Sequence, residues 1–259
     1  MLAIAPAALA GLPGSFGAML PGRGRARLVA CGAARAYRPG YMLTMEGDRS
    51  SDVVVLVAGW AKAACVTGGG EEVVLRVYGP GDVFGAEAAL GGDGPRPETV
   101  TALGECVALL VPAPRFADLV DDDSAGISRA FSAAMLDRAR AADEQARLRH
   151  AEPALRLARV LHGLAGRAGA PAPGGGTAIP VELSQEDLAS MLGASRSTVA
   201  RTLRVLRDRG VISTGYRAVT VTDPAALRAL AGLPPAGLSG RAPRGPGAAA
   251  RAEARRSAG

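Results

Sequence analysis

Hydroxyl, amide and arginine side chains between residues 184 and 201 have the composition of a surface that binds phosphates and base edges. An arginine can donate two hydrogen bonds to O6 and N7 of guanine, while hydroxyls and helix N-terminal amides suit phosphate oxygens. The candidate side chains are Ser184, Gln185, Ser195, Arg196, Ser197, Thr198 and Arg201. Their types and spacing indicate a protein that contacts double-stranded DNA.

Two short helices separated by a glycine turn are predicted to position these side chains. Ser184 suits the N-terminal cap of the first helix because Asp187 follows at the third position, close to a capping box. Gly193 ends this helix, and Ser195 caps a second one over 196–209. Two helices joined in this way form a helix-turn-helix.

The residues after the second helix are predicted to form a wing of two strands within 211–221, with a turn at 215–217. A helical hairpin without DNA function is the alternative. The cap, the glycine turn, the exposed arginines and the wing occur together, which favours DNA binding.

The first half of the chain alternates short β-branched runs with Gly and Pro turns. The runs lie at 41–45, 52–57, 60–66, 72–78, 99–103 and 107–111. Runs that recur roughly every ten residues are typical of an antiparallel sandwich or barrel.

A long helix is predicted over 127–149, where helix formers dominate. Its apolar residues recur on a seven-residue seam that Arg138 and Gln145 interrupt, namely Ile127, Phe131, Ala134, Ala141 and Leu148. A narrow seam favours a dimer helix over one that lies on the β domain. Pro153 ends this helix and suits the start of the next, so 151–153 is a plausible hinge.

The net charge of +6 is unevenly distributed. Residues 41–130 hold six cations against 14 acids, whereas 181–230 hold seven arginines against five acids. This asymmetry indicates two domains with different partners. Lys62 is the only lysine among the 30 cations.

Several function classes are excluded by the sequence. No apolar run approaches the roughly 18–20 residues of a membrane span, and no secretory signal is apparent, so we expect a cytoplasmic protein. Cys31, Cys65 and Cys106 form neither a disulfide framework nor a metal motif. No His lies within 41–130, where a cupin-type metal site or a haem would need one, and no Gly-x-Ser-x-Gly, Walker or His-Glu-x-x-His motif is present. We therefore expect no enzyme and no metal.

Motifs in both halves resemble those of the Crp/Fnr family of bacterial transcription regulators. Segments 183–189 (LSQEDLA) and 193–201 (GASRSTVAR) are similar to the family's winged helix. Segments 38–40 (RPG) and 79–85 (GPGDVFG) are similar to its cyclic-nucleotide-binding β-roll. The resemblance implies a homodimer that binds a pseudo-palindromic operator. Ser197 stands where the family has Glu, which implies a target different from that of the cyclic-AMP receptor.

The resemblance also implies an effector site made by Gly85, Glu87, Arg96 and Thr99. In the family, the arginine pairs with the cyclic phosphate and the glutamate takes a ribose hydroxyl. Here Glu87 is displaced by one position relative to the family pattern. A structural Arg96 that pairs with a nearby acid is the favoured alternative.

Further departures argue against cyclic AMP as the effector. Pro97 lacks the hydroxyl and the N–H of the family's Ser, and Glu98 adds negative charge beside the expected phosphate. Residues 141–142 are Ala-Ala, where cyclic-AMP binders have Thr-Ser against the adenine. No cofactor is therefore assigned, and a cyclic nucleotide is disfavoured.

The fold class predicted is α+β: an N-terminal antiparallel β-roll of jelly-roll type, a long dimerisation helix and a C-terminal winged helix-turn-helix. The expected divisions are a poorly ordered segment (1–22), the β-roll sensor domain (23–125), the dimerisation helix (126–150), the DNA-binding domain (151–230) and a disordered basic tail (231–259). We expect a sequence-specific DNA-binding transcription regulator that acts as a homodimer and whose β-roll domain senses a small effector, with RNA polymerase as a further partner. The alternatives are a ligand-independent DNA binder whose β-roll only dimerises, and a cyclic-AMP-responsive regulator.

Overall fold

The computed structural model describes residues 2–49, 51–90, 94–122, 126–173, 175–215 and 218–235. Within the N-terminal half of this part, eight strands pair antiparallel into two sheets. They are β1 (Ala33–Tyr37), β2 (Met42–Thr44), β3 (Asp52–Ala58), β4 (Ala61–Val66), β5 (Glu72–Tyr78), β6 (Val83–Phe84), β7 (Thr99–Ala102) and β8 (Cys106–Pro112). The sheet orders are β1-β8-β3-β6 and β2-β7-β4-β5, which confirms the predicted antiparallel β-roll.

Strand β3 is buried on both of its faces. Val53 and Val55 point into a cluster with helical residues, whereas Val54 and Leu56 point toward the second sheet. Successive side chains of a strand alternate between faces, so β3 joins the two cores of the domain. Small residues contribute much of the core between the sheets: Ala61, Ala63, Ala102 and Ala108.

The N-terminal segment is structured, contrary to the expectation that 1–22 is poorly ordered. A 3-10 helix spans Pro6–Ala10 and helix α1 spans Phe16–Met19. Leu9, Phe16 and Leu20 are at most 2% exposed because they fill the cluster outside β3. The burial of this apolar surface stabilises residues that carry no regular sequence pattern.

The remaining helices lie mostly in the second half of the chain. They are α2 (Gly22–Cys31), α3 (Ala113–Asp121), α4 (Ile127–Arg147), α5 (Pro153–Ala168), α6 (Gln185–Leu192), α7 (Arg196–Asp208) and α8 (Pro224–Leu230). Strands β9 (Ala170–Pro171), β10 (Thr177–Ile179), β11 (Ile212–Gly215) and β12 (Ala218–Val221) form a third sheet, ordered β11-β12-β10-β9. No helix in the described ranges combines the length and the apolar character needed to cross a membrane.

The predicted seam of α4 is divided between two environments. Ile127 and Phe131 are buried in the core of the β domain, where the Phe131 ring lies 5.7 Å from that of Phe116 and 6.3 Å from that of Phe16. The N-terminal part of α4 therefore lies on its own β domain, which was the alternative to a helix that only dimerises. Further along, Ala141 and Leu148 line an open cavity.

The ordered domain extends beyond the boundary expected at residue 231. Ala231 is fully buried, and Arg159 Nε donates a hydrogen bond to its carbonyl. Residues 236–259 of the predicted tail lie outside the described residues, as do Tyr216 and Arg217 of the predicted wing turn.

The two domains contact each other directly. Trp60, Val77 and Leu103 of the β domain pack against the apolar cluster of the helical domain. On another side, Arg167 of α5 forms an ion pair with Asp82, whose second oxygen accepts from the Gly79 N–H at 2.8 Å.

Candidate nucleic-acid interface

Helix α6 begins at a complete capping box. The Ser184 hydroxyl accepts from the Asp187 N–H at 3.0 Å, and the Asp187 carboxylate accepts from the Ser184 N–H at 2.9 Å. These bonds satisfy two backbone donors that the first helical turn leaves open. The Ser184 hydroxyl also donates to the Asp187 carboxylate at 2.6 Å, so its observed role is local.

Helix α7 begins at a cluster of hydroxyls. Ser195 Oγ accepts from the Thr198 N–H at 3.2 Å and lies 2.9 Å from Ser197 Oγ and 2.8 Å from Thr198 Oγ1. The turn before it is possible because Gly193 has φ +53°, in the left-handed region. The structure thus brings three predicted site residues together at the N-terminal end of α7, where the helix dipole favours an anion.

The two sides of α7 have opposite character. Val199, Leu203 and Leu206 are buried in the helical domain. The outward side carries exposed arginines, namely Arg196, Arg201, Arg204 and Arg207. No described acidic side chain forms an ion pair with Arg196 or Arg201, so both guanidinium groups are available to a ligand.

A cleft of about 600 Å³ separates the start of α6 from α7 and the wing. Ser184, Gln185 and Arg196 line it, together with Thr214 of β11. The Arg207 guanidinium donates to the Thr214 hydroxyl at 3.1 Å and thereby fixes the wing against α7. This hydrogen bond was not predicted from the sequence, because no local pattern relates residues 207 and 214.

The expected effector residues meet at one end of the β-roll. Arg96 is only 5% exposed and donates to the carbonyl of Asp52, while Glu87 Oε2 lies 3.9 Å from its Nη1. The guanidinium lies so close to Gly85, which has φ +75°, that a Cβ there would collide with it. Thr99 Oγ1 accepts from the Glu46 N–H at 2.9 Å. Arg96 Nη2 and Thr99 Oγ1, which the resemblance offers to an effector, are thus hydrogen-bonded to the chain itself.

A second cluster of polar side chains in the β-roll was not predicted from the sequence. The Tyr78 hydroxyl donates to Glu98 at 2.6 Å, and Arg76 Nε lies 3.9 Å from the other Glu98 oxygen. Arg138 of α4 donates to the Val83 carbonyl and lies 5.3 Å from the Tyr78 ring centroid. Burial raises the pKa of Tyr78, so its hydroxyl stays protonated and keeps donating. The sequence feature that could have indicated this cluster is Arg138, which interrupts the apolar seam of α4.

Among the described residues, no group of three or more His, Cys, Asp or Glu side chains could hold a metal ion.

Models of two protein families match the chain in order. A cyclic nucleotide-binding domain matches residues 34–123, and a Crp-like helix-turn-helix domain matches residues 155–230. The first range covers the eight strands of the β domain and α3, and the second covers most of α5 and all of α6 to α8.

Curated relatives are regulators of one kind. A CRP-like cAMP-activated global transcriptional regulator of Mycobacterium tuberculosis is 28% identical over 185 residues, covering 71% of this chain and 81% of the relative. The cyclic AMP receptor protein of Thermus thermophilus is 27% identical over 205 residues, covering 76% and 87%.

Solved structures have the same fold. A CRP-family transcriptional regulator from Thermus thermophilus has a TM-score of 0.64 at 26% identity, covering 76% of this chain and 96% of that one. FixK2 of Bradyrhizobium japonicum has a TM-score of 0.66 at 21% identity, covering 77% and 96%.

Proposed function

Because the chain belongs to the Crp/Fnr family of DNA-binding transcriptional regulators, we propose that it acts as a homodimer, with α7 of each copy in a major groove. The observation that carries this proposal is the exposed side of α7. Arg196 and Arg201 lie there without a described ion-pair partner, and an arginine can donate two hydrogen bonds to a guanine in the major groove. The two half-sites would then be about 34 Å apart.

We assign the remaining predicted residues to positioning on the phosphate backbone. Ser195, Ser197 and Thr198 surround the N-terminus of α7, and Gln185 faces the neighbouring cleft. Such contacts fix the orientation of the protein on DNA without carrying sequence information. Ser184 supports this group by capping α6, since both its hydroxyl and its N–H are engaged by Asp187.

An open cavity beside α4 supports homodimerisation. It has a volume of about 520 Å³ and lies between α4, β5 and α5. The second half of the predicted seam lines it, namely Ala134, Arg138, Ala141, Gln145 and Leu148. We propose that α4 of the second copy covers these residues. A dimer of this kind would act in the cytoplasm, with RNA polymerase as a further partner.

We further propose that operator binding does not depend on a cyclic nucleotide in the β domain. Arg96 is folded onto Asp52 and Gly85, and the Glu98 carboxylate is held beside Tyr78 and Arg76. A second candidate, a cyclic-AMP-responsive regulator, is favoured by what the two curated relatives are named for. A third, in which the β domain is only a scaffold, predicts that no small molecule changes operator affinity.

Selection of bound genomic DNA, with and without cyclic AMP and cyclic GMP, distinguishes these candidates. We expect one enriched motif, unchanged by either nucleotide. A nucleotide-dependent gain of tenfold or more in affinity, about 1.4 kcal/mol, would establish the cyclic-nucleotide-responsive candidate instead. Salt-dependent binding without an enriched motif would contradict sequence-specific regulation.

A further inference from the structure

Helix α6 covers an open edge of the β domain. Strand β5 is the last strand of its sheet, so its outward N–H and C=O groups need partners from elsewhere. Ser190 of α6 supplies both: its hydroxyl accepts from the Val74 N–H at 2.7 Å and donates to the Glu72 carbonyl at 2.9 Å. One hydroxyl therefore fixes α6 in register with β5.

Lys62 makes the charged part of the same contact. Its Nζ lies 2.8 Å from Asp187 of α6 and 2.7 Å from Glu72 of β5. The side chains of Lys62 and Asp187 are only 19% and 11% exposed, so solvent screens this pair less than a surface pair. Without the cation, two carboxylates would face each other across the domain boundary.

This contact leaves the DNA-facing side of the domain open. The α7 arginines are exposed, and the cleft beside Gln185 and Arg196 is lined entirely by residues of the helical domain. The contact therefore does not block DNA. It determines where α7 lies relative to the β domain and to α4, which carries the proposed dimer axis.

We propose that Lys62, together with Ser190, is a positioning residue for DNA recognition, and that this contact selects the spacing between operator half-sites. The inference rests on the proposed function, because spacing has meaning only for a dimer on two half-sites. With α6 docked on β5, the two recognition helices are held at one separation. With the contact broken, α6 loses its register on β5. Each helical domain can then shift about residues 151–153 on its remaining apolar and Arg167–Asp82 contacts.

The test uses the full chain and a series of palindromic duplexes built from its selected motif, with half-site spacings changed by one and two base pairs. Wild type should prefer one spacing by at least tenfold. Lys62→Met and Ser190→Ala should each reduce that preference below threefold, while affinity for a single half-site stays within twofold. Lys62→Arg, which keeps the cation, should retain the preference. Arg38→Met removes an exposed cation from the β domain and should change nothing.

A DNA-independent measurement separates this inference from the proposed function. Amide hydrogen exchange at Val74 should accelerate at least tenfold in Ser190→Ala and in Lys62→Met, and remain as in wild type in Arg38→Met. Unchanged exchange would show that α6 does not dock on β5, which overturns the inference. A loss of affinity that is equal at every spacing would overturn it too. Faster exchange in the variants, with no selective DNA binding by wild type, would leave docking in place but contradict both the proposed function and spacing selection.

Discussion

The guanidinium of Arg96 lies against the backbone of Gly85 and donates to the carbonyl of Asp52. Gly85 therefore has no room for a side chain, and the guanidinium contacts the backbone at the start of β3. Glu87, the expected ribose ligand, is half exposed and 3.9 Å from the same guanidinium. This end of the β-roll contains residues that were expected to bind an anion. In the structure, Arg96 instead contacts the chain itself and stabilises the fold.

Substitution of Arg96 should act on stability. We expect Arg96→Met to lower the free energy of unfolding by about 1–3 kcal/mol, since the Asp52 carbonyl loses its charged and buried donor. Urea denaturation measures this directly. Operator affinity, with or without cyclic AMP, should stay within threefold of wild type. A variant of normal stability that has lost a response to cyclic AMP would identify Arg96 as a ligand residue.

Substitution of Arg201 should act on DNA recognition. Arg201→Ala should cost on the order of 1–3 kcal/mol on the selected operator and relax specificity at one base position. Fluorescence anisotropy on the operator and on single-base variants gives both quantities. Arg209→Ala, at the other end of α7, is the matched control and should lose less. Equal weakening on every sequence would make Arg201 a phosphate contact.

The hydroxyl of Tyr78 should contribute to stability through Glu98. Tyr78→Phe removes the donor to a mostly buried carboxylate and should cost about 1–3 kcal/mol of unfolding free energy. A double-mutant cycle with Glu98→Gln should show coupling between the two side chains. Strict additivity would indicate that the hydroxyl and the carboxylate do not interact in solution.

The contact between Lys62 and Asp187 should make stability depend on pH. Burial alone raises the pKa of Asp187, but hydrogen bonds from Lys62 and Ser184 outweigh it and leave the pKa below the ordinary 3.8. A carboxyl with a lowered folded pKa stabilises the protein fully above its unfolded pKa, and this contribution is lost as pH falls through the folded pKa. Unfolding free energy should therefore fall below about pH 4 more steeply in wild type than in Lys62→Met. Parallel pH profiles would contradict the contact.

The face of α4 used for dimerisation can be identified with two substitutions. Ala141→Glu places a charge in the cavity between α4, β5 and α5, and we expect it to shift sedimentation toward the monomer. Leu136→Glu is the control on another face of α4, because Leu136 is 52% exposed and does not line the cavity. Dissociation by Leu136→Glu alone would place the interface on that other face.

Strands that contain β-branched runs were predictable from the sequence. Strands that form because they pair with a neighbouring strand were not. β3 was predicted because valine and leucine fill positions 53–57, and all five side chains are buried in the structure. β1 has no β-branched residue and is a strand because it pairs with β8 from Ala33 to Tyr37. The two-residue strands β6 and β9 are likewise set by pairing.

The local geometry of the DNA-facing site was largely predictable, and its long-range contacts were not. The caps at Ser184 and Ser195 and the turn at Gly193 follow from residue types within a few positions. The Lys62–Asp187 contact joins residues 125 positions apart, and only the packing of two domains brings them together.

The N-terminal helices have a practical consequence for anyone who shortens this chain. The range matched by the cyclic nucleotide-binding model starts at residue 34, after α2 has ended. A protein cut at that boundary would lack Leu9, Phe16, Leu20 and Leu28, all of which are buried against β3 and its neighbours. Expression from residue 34 would expose this apolar surface to water and invite aggregation. A usable fragment should keep the N-terminal residues and carry any affinity tag at the C-terminus.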